Sequence, residues 1–204
     1  MSQTKEHWEK VYTERKPDEV SWFQEVPTLS LALIEQAGIP KDAAILDMGA
    51  GASRLVDRLL AKGYSRVSVL DISGQALSYA KERLGATATK VRWIEADATE
   101  FTPPEIYDLW HDRAVFHFLT AEVDRERYLH SLRNGLRVGG TLILAAFAPD
   151  GPEKCSGLNV CRYDAASAQA VLGTEFELLQ EADEAHRTPW DKEQRFKYLV
   201  FRRR

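Results

Sequence analysis

The segment from Ile45 to Ser53 combines an acidic side chain with a glycine-rich turn. It reads Ile-Leu-Asp-Met-Gly-Ala-Gly-Ala-Ser, so Asp47 shortly precedes Gly49 and Gly51. Glycines at this spacing let the backbone turn tightly and bring its N–H groups against a ligand. Taken alone, the pattern is equally typical of a structural turn between a strand and a helix.

Two well-known nucleotide-binding loops differ from this turn. A dinucleotide-binding loop reads Gly-x-Gly-x-x-Gly, and Arg54 stands where its third glycine belongs. The Gly-Lys-Ser/Thr sequence of a triphosphate-binding loop occurs nowhere in the chain. The turn therefore argues against NAD, FAD and nucleoside triphosphates.

Further acidic residues follow the next two apolar runs. Asp71, in Val-Leu-Asp-Ile, follows the second run about 20 residues after the glycine turn, and Asp97-Ala98 follows a third run. Carboxylates at these places suit the two hydroxyls of a ribose and the amino group of an adenine. Asp47 suits a positively charged ligand better than a pyrophosphate. Each acid alone reads as a helix cap or a solvated loop residue, whereas together they favour a nucleoside-containing ligand.

A fourth apolar run delivers a dense group of ionisable side chains. His111, Asp112 and Arg113 are consecutive, and His117 follows four residues later. Ligands of open α/β sheets bind beyond the carboxyl ends of the strands, which is where this group falls. Asp112 and Arg113 are equally well explained as a structural ion pair, and the apolar neighbours of His117 favour a core histidine on a helix.

The elements that position these residues alternate between strands and helices. Strands separated by helices predict right-handed crossovers and a parallel sheet covered on both faces. The predicted strands are residues 43–48, 66–70, 90–95, 106–111 and 141–147; the predicted helices are residues 5–15, 27–37, 53–62, 73–84, 124–136 and 164–172, the last capped by Asp164.

The last two apolar segments have no helix between them. Residues 176–184 and 194–203 are therefore expected to pair as an antiparallel hairpin whose tip contains His186 to Trp190. The sequence thus predicts a doubly wound α/β fold with a mostly parallel, seven-stranded sheet and an antiparallel C-terminal edge.

Composition narrows the function further. The 204 residues fit one domain (1–204), and 27 basic against 31 acidic residues give a net charge of −4. This balance argues against a nucleic-acid or anionic-membrane binder. No apolar run reaches the roughly 20 residues of a membrane span, and the polar start is unlike a secretory signal. We therefore expect a cytoplasmic protein.

The loop of residues 149–163 follows the fifth predicted strand and is a natural place for substrate recognition. It contains Cys155 and Cys161, whose spacing is too wide for a Cys-x-x-Cys pair. We interpret them as free thiols near a pocket and expect no metal; a thiophilic site with His186 is the minor alternative. Arg162 suits an anion or a surface salt bridge.

The residues from 43 to 148 resemble, in order, the class I S-adenosylmethionine-dependent methyltransferases. The resemblance implies that Asp47, Gly49, Ala50 and Gly51 hold the methionine part of S-adenosylmethionine. It further implies that Asp71 binds the ribose, that Ile72 packs on the adenine, and that Asp97 and Ala98 contact the adenine. Ser53 replaces a third glycine that the family often carries.

Within that family, Asp112-Arg113 is similar to the thiopurine-type S-methyltransferases and to a branch of protein-lysine methyltransferases. The opening pattern with Trp8, Tyr12, Trp22 and Phe23 resembles the N-terminal lid of both groups, here residues 1–26. The lid would place Trp22 and Phe23 over the sulfonium, whose charge an aromatic face attracts. Residues 149–204 would then form the acceptor side.

Methyl transfer is an in-line displacement that requires a positioned, deprotonated acceptor. We expect Asp112 to be the base, Arg113 and His117 to lie on the substrate side, and His111 to touch the methionine part. The expected acceptor is a small molecule, with a thiol slightly preferred, in a pocket enclosed by Trp22, the 149–163 loop and the hairpin tip.

Two alternatives stay open at this point. A protein-lysine acceptor predicts a narrow channel that opens on an acidic or apolar patch. A non-catalytic protein would bind S-adenosylmethionine, or its product S-adenosylhomocysteine, only as a ligand. The Asn/Asp-Pro-Pro-aromatic motif of base-modifying enzymes is absent, so we expect no nucleic-acid partner. We further expect no membrane partner, and a monomer or homodimer.

Overall fold

The computed structural model describes residues 3–204 and contains a seven-stranded sheet in the order β3-β2-β1-β4-β5-β9-β8. All neighbours from β3 to β5 pair parallel, and β9 pairs antiparallel with both β5 and β8. The sheet is formed by β1 (Ala44–Met48), β2 (Arg66–Asp71), β3 (Val91–Glu95), β4 (Tyr107–Arg113), β5 (Leu136–Phe147), β8 (Phe176–Arg187) and β9 (Glu193–Arg203). The predicted fold class is confirmed.

Helices cover both faces of the sheet, which explains the continuous apolar runs of its central strands. One face packs against α2 and α3 and the other against α5 and α6. The helices are α1 (Gln3–Glu14), α2 (Thr28–Gln36), α3 (Leu55–Ala61), α4 (Gly74–Leu84), α5 (Glu122–Gly135) and α6 (Ala165–Leu172). Asp164 caps α6 as predicted, because its side chain accepts a hydrogen bond from the Ser167 N–H at 2.8 Å.

The C-terminal hairpin of β8 and β9 forms one edge of the sheet, as predicted. The pairing of β8 shifts register between Leu178 and Gln180, so the outermost strand carries a bulge. Between β5 and α6 lies a second, two-stranded hairpin formed by β6 (Lys154–Cys155) and β7 (Leu158–Asn159). No helix within residues 3–204 has the length and apolar character needed to cross a bilayer.

The structure corrects the prediction for the end of β4. The predicted strand stops at His111, but β4 continues to Arg113 and therefore includes Asp112. The apolar helix predicted to carry His117 is only one 3₁₀ turn, Phe116–Phe118. The chain enters that turn through Ala114, whose φ of 70° is a left-handed conformation that a residue with a Cβ seldom adopts.

Candidate functional site

Two adjoining cavities lie at the carboxyl ends of the parallel strands, where open α/β sheets bind ligands. We name them the nucleoside cavity, which contains Asp71 and Asp97, and the methionine cavity, which contains Asp47 and His111. Four residues line both cavities: Tyr12, Trp22, Gly49 and Arg113. The structure therefore brings together side chains from the first 22 residues and from the ends of four strands, β1 to β4.

The glycine turn leaves no room for side chains where the cavities meet. Gly49 has a φ of 60°, and a Cβ on it would lie 1.9 Å from Cγ2 of Val115. Gly51 has a φ of 56°, and a Cβ there would lie 2.2 Å from the Tyr12 hydroxyl. Each position combines a left-handed backbone with a close approach of another side chain, so each requires glycine for two independent reasons.

Asp71 joins the glycine turn to the start of α4. Its carboxylate accepts hydrogen bonds from the N–H of Gly51 at 2.7 Å and from the N–H of Ser73 at 2.8 Å. Burial raises the pKa of this carboxyl to about 6, against the lowering effect of the two N–H donors. Ile72, Asp97 and Ala98 line the same cavity, as the sequence analysis expects of an adenosine site.

Asp47 and His111 form a buried pair beneath the methionine cavity. Oδ1 of Asp47 lies 2.8 Å from Nδ1 of His111, and Nε2 of that ring lies 2.9 Å from the Ser30 hydroxyl. Asp47, His111 and Ser30 follow one another as in a hydrolytic triad. The Ser30 hydroxyl is, however, buried and also donates to the Tyr198 hydroxyl at 3.4 Å. Oδ2 of Asp47 is also buried and has no hydrogen-bond partner among the described residues. A buried carboxylate oxygen of this kind is a natural acceptor for a ligand ammonium group.

Arg113 lies between the cavities and ties the first residues of the chain to the C-terminal hairpin. Its guanidinium donates to the Tyr198 hydroxyl at 2.8 Å, to the Trp22 carbonyl at 3.2 Å and to Glu184 at 3.2 Å. It also stacks on the ring of Phe196, 4.4 Å from the centroid. The nearby carboxylate of Glu184 and the Tyr198 hydroxyl raise the pKa of Arg113 despite its burial.

Asp112 is placed outside both cavities. It is fully buried on the opposite face of β4, where its carboxylate accepts from the Tyr128 hydroxyl at 2.6 Å and from the Val115 N–H at 3.0 Å. Burial raises its pKa to about 6. The geometry does not fit the prediction of a catalytic base, because the carboxylate is occupied in holding the turn after β4.

His117 is placed in the core rather than on the substrate side. Its ring is fully buried against Phe118 and Phe147, and neither nitrogen has a hydrogen-bond partner among the described residues. Burial, with a smaller contribution from Arg113, lowers its pKa to about 3. The alternative interpretation, a core histidine, fits this placement.

His117→Phe is expected to stabilise the protein in mild acid. The folded state holds the ring neutral down to about pH 3, whereas the unfolded chain protonates it near 6.5. This contribution to stability is therefore complete above pH 6.5 and falls by about 1.4 kcal/mol per pH unit below it. In urea unfolding, the free energy of unfolding of His117→Phe relative to the wild type should be about 2 kcal/mol more favourable at pH 5 than at pH 8.

The control for this experiment is His130→Phe, which removes an exposed histidine on α5. That variant should keep the wild-type dependence of stability on pH between 8 and 5. If His117→Phe keeps it as well, the buried ring does not cause the acid loss of stability.

Helix α1 covers the nucleoside cavity through Trp8 and Tyr12. Nε1 of Trp22 donates to the Tyr12 hydroxyl at 3.2 Å, so the residues of the predicted lid hold one another. Glu9 fixes α1 to α4, because its carboxylate accepts from the Gly74 N–H at 2.7 Å, at the beginning of α4. Glu9 and Glu184 are not predictable from the sequence, because their partners lie 65 and 71 residues away and leave no local signal.

A further depression, which we name the outer groove, adjoins the nucleoside cavity. Its walls come from α1, from residues 152–157 and from residues 188–194 at the hairpin tip. Trp22 and Cys155 line both the groove and the nucleoside cavity, and burial raises the pKa of the Cys155 thiol to about 11. Phe23, which was predicted to lie beside Trp22, lines the methionine cavity but neither the nucleoside cavity nor the outer groove.

Cys161 and His186 do not join Cys155 at a common centre. Cys161 lies near Arg125, and the His186 ring lies 2.7 Å from the Ser21 carbonyl. Within residues 3–204 no group of three or more histidine, cysteine or acidic side chains is arranged to hold a metal ion.

Comparison with known proteins places this site in a family context. Residues 45–140 match a family described as a methyltransferase domain. Trans-aconitate 2-methyltransferase of Streptomyces avermitilis is 35% identical over 109 residues, covering 51% of this chain and 39% of that protein. A tRNA U34 carboxymethyltransferase of Shewanella baltica is 30% identical over 125 residues, covering 60% and 37%. The chain spans less than two fifths of the length of these curated relatives.

A solved structure shares the whole architecture. An S-adenosylmethionine-dependent methyltransferase from Anabaena variabilis matches with a TM-score of 0.77 and 16% identity, covering 100% of this chain and 96% of that one. At this identity the likeness concerns the fold alone.

Proposed function

We propose that this chain, whose residues 45–140 match the methyltransferase-domain family, is a class I S-adenosylmethionine-dependent enzyme that transfers a methyl group to a small molecule. The observation that carries the proposal is the meeting of the cavities at Trp22, which lines the nucleoside cavity, the methionine cavity and the outer groove. A reacting methyl group and its acceptor need such a common point, closed to water.

The residues present fit S-adenosylmethionine. Asp71 offers a buried carboxylate to ribose hydroxyls, and the unpartnered Oδ2 of Asp47 suits the ammonium group of the methionine part. The two glycines keep the backbone close, and the aromatic faces of Trp8 and Trp22 stand edge to face near the place of a sulfonium. S-adenosylmethionine supplies the methyl group; the chain binds it, orients the acceptor and excludes water.

A soft nucleophile such as a thiol fits the site better than an amine. Transfer forms a bond from the acceptor atom to the methyl carbon as the sulfonium–carbon bond breaks, and the acceptor must first lose its proton. Asp112 and His117 lie outside the cavities, and both ring nitrogens of His111 are engaged. A thiol, with a pKa of about 8.5, loses its proton at neutral pH more readily than a lysine amine, whose pKa is about 10.4. The position of the titratable groups thus favours the thiol over the protein-lysine alternative.

The shape of the acceptor side supports a small molecule. The outer groove is enclosed by Trp22, by residues 152–157 and by Thr188 and Trp190 of the hairpin tip, which is the enclosure expected for a small acceptor. The relatives compared above are named for acceptors as different as trans-aconitate and tRNA, so the acceptor of this chain is inferred from its own groove.

Asp71→Ala is expected to weaken S-adenosylhomocysteine binding at least a hundredfold, because two hydrogen bonds to a buried carboxylate are lost at about 1.5–3 kcal/mol each. Isothermal titration calorimetry with S-adenosylmethionine and S-adenosylhomocysteine measures this directly. Asp42→Ala is the matched control, since Asp42 is exposed just before β1, at the opposite end of that strand from the cavities.

Three outcomes decide the proposal. Saturable binding that only Asp71→Ala weakens, with S-adenosylhomocysteine released in the presence of thiols, supports it. No binding at millimolar ligand contradicts it. Binding with turnover on lysine peptides but not on thiols would replace it by the protein-lysine alternative. Binding without turnover on any acceptor would replace it by the non-catalytic alternative.

A further inference from the structure

The outer groove runs from the hairpin tip to Trp22, where the nucleoside and methionine cavities meet. Trp22 and Cys155 form the boundary between the groove and the nucleoside cavity. A molecule that lies in the groove therefore has one end beside Trp22 and the other between β6–β7 and the hairpin tip.

The groove is positively charged in a chain whose net charge is −4. Lys10 and Glu14 pair with each other across 3.8 Å and cancel. The remaining cations are Arg15, Lys154 and Lys192, and none of these side chains forms an ion pair with a described residue; the single acid that faces them is Glu193. The unpaired side chains leave an excess of two positive charges, which repels a lysine or another cationic acceptor and attracts an anion.

The groove also offers a surface for a flat apolar body. Trp190 stands at its rim with 47% of its surface exposed, and Trp22 stands at its inner end. Oε1 of Gln194 is buried in the wall without a hydrogen-bond partner among the described residues, so it is free to accept from a ligand N–H or O–H. Apolar faces, one orienting acceptor and a cationic rim are the components of a small-molecule site.

We propose that the outer groove binds an organic anion with a flat apolar body, and that this anion is the methyl acceptor. Its anionic group lies on Lys154, Lys192 and Arg15, its body lies along Trp190, and its nucleophilic atom lies beside Trp22. The identity of the anion as acceptor rests on the proposed function; the anion site itself does not.

Two fluorescent probes that differ in one group test the charge selectivity. They are 8-anilinonaphthalene-1-sulfonate and N-phenyl-1-naphthylamine, which share the aromatic body and differ only in the sulfonate. Each is titrated into the protein with and without saturating S-adenosylhomocysteine. Lys154→Gln/Lys192→Gln is compared with Lys90→Gln/Arg127→Gln, which removes the same charge from exposed positions outside the groove.

The groove double variant is expected to raise the Kd of the sulfonate probe roughly tenfold, because each exposed charge contributes up to about fivefold. The Kd of the neutral probe should change less than twofold, and the control variant should leave both unchanged. Trp190→Ala should weaken both probes together. Equal effects of the two double variants, or no preference for the sulfonate, would overturn the anion site.

Failure of the proposed function has a separate signature. If S-adenosylhomocysteine does not bind, the methyltransferase proposal fails while the titrations without it still measure the groove. If S-adenosylhomocysteine binds and the groove shows no charge selectivity, only the anion proposal fails.

Discussion

Gly49→Ala is expected to abolish measurable S-adenosylhomocysteine binding and to destabilise the protein by about 2–5 kcal/mol. The left-handed backbone costs a residue with a Cβ about 1–2 kcal/mol. The new methyl group would also lie 1.9 Å from Cγ2 of Val115, and overpacking of this kind costs about 1–3 kcal/mol more. Relief requires Val115 or the turn to move, and both border the cavity. Calorimetric titration and urea unfolding measure the two effects.

Gly63→Ala separates backbone strain from the collision. Gly63 also has a positive φ, 87°, but a Cβ there meets no atom within 4 Å. Its substitution should therefore cost about 1–2 kcal/mol and leave ligand binding intact. Gly49→Ala/Val115→Ala removes the colliding side chain and should recover part of both losses. Equal stability of the two single variants, with binding retained in each, would show that the close approach has no consequence.

Arg113→Met is expected to destabilise the protein by about 3–5 kcal/mol, because it leaves the largely buried Glu184 carboxylate without its cation. The side chains of this pair are only 10% and 15% exposed. The variant also loses the hydrogen bond to the Trp22 carbonyl, so the residues over the methionine cavity lose their anchor. Urea unfolding gives the stability, and titration with S-adenosylhomocysteine gives the effect on the cavity.

A double-mutant cycle attributes this loss to the pair. Glu184→Gln in the Arg113→Met background should restore a part of the stability, with a coupling energy of roughly 2 kcal/mol. Arg162→Met is the control, since Arg162 pairs with Glu153 at 3.4 Å on the surface, where such pairs contribute about 0–1 kcal/mol. Additive effects of Arg113→Met and Glu184→Gln would mean that packing on Phe196, not charge, holds this region.

Most of the residues predicted to bind the cofactor line the two cavities, because they lie at strand ends that the sequence marks. The glycine turn after β1 and the acids after β2 and β3 sit at positions where topology alone brings neighbours together. The alternation of strands and helices predicted the parallel sheet, and the last two strands were predicted as a hairpin because no helix separates them, whereas the order of the strands is known from the structure.

The face of each β4 side chain was beyond sequence reasoning. Because helices cover both sides of the sheet, β4 has no alternation of apolar and polar residues to indicate which side is which. His111 and Arg113 turn toward the methionine cavity, while Asp112 between them turns toward Tyr128. The type of side chain therefore led to a predicted base, Asp112, that faces away from the cavities, whereas His111 and Arg113, predicted for the cofactor and the substrate side, do line a cavity. Contacts such as Glu9 with α4 depend on tertiary packing and carry no sequence signal.

The outermost strand of the sheet affects how readily copies of the chain associate with one another. β8 is 12 residues long, or about 40 Å, and its outer edge has no partner strand within the described chain. Such an edge is a template for aggregation unless it is blunted. The bulge at Leu179 breaks the regular spacing of its free N–H and C=O groups. Glu177, Glu181 and Asp183 place charged side chains along the strand, each in an ion pair with Arg204 or Lys197, and charged side chains on an edge strand disfavour its pairing with a second molecule. The hairpin that completes the groove thus also protects the chain against edge-to-edge fibre growth.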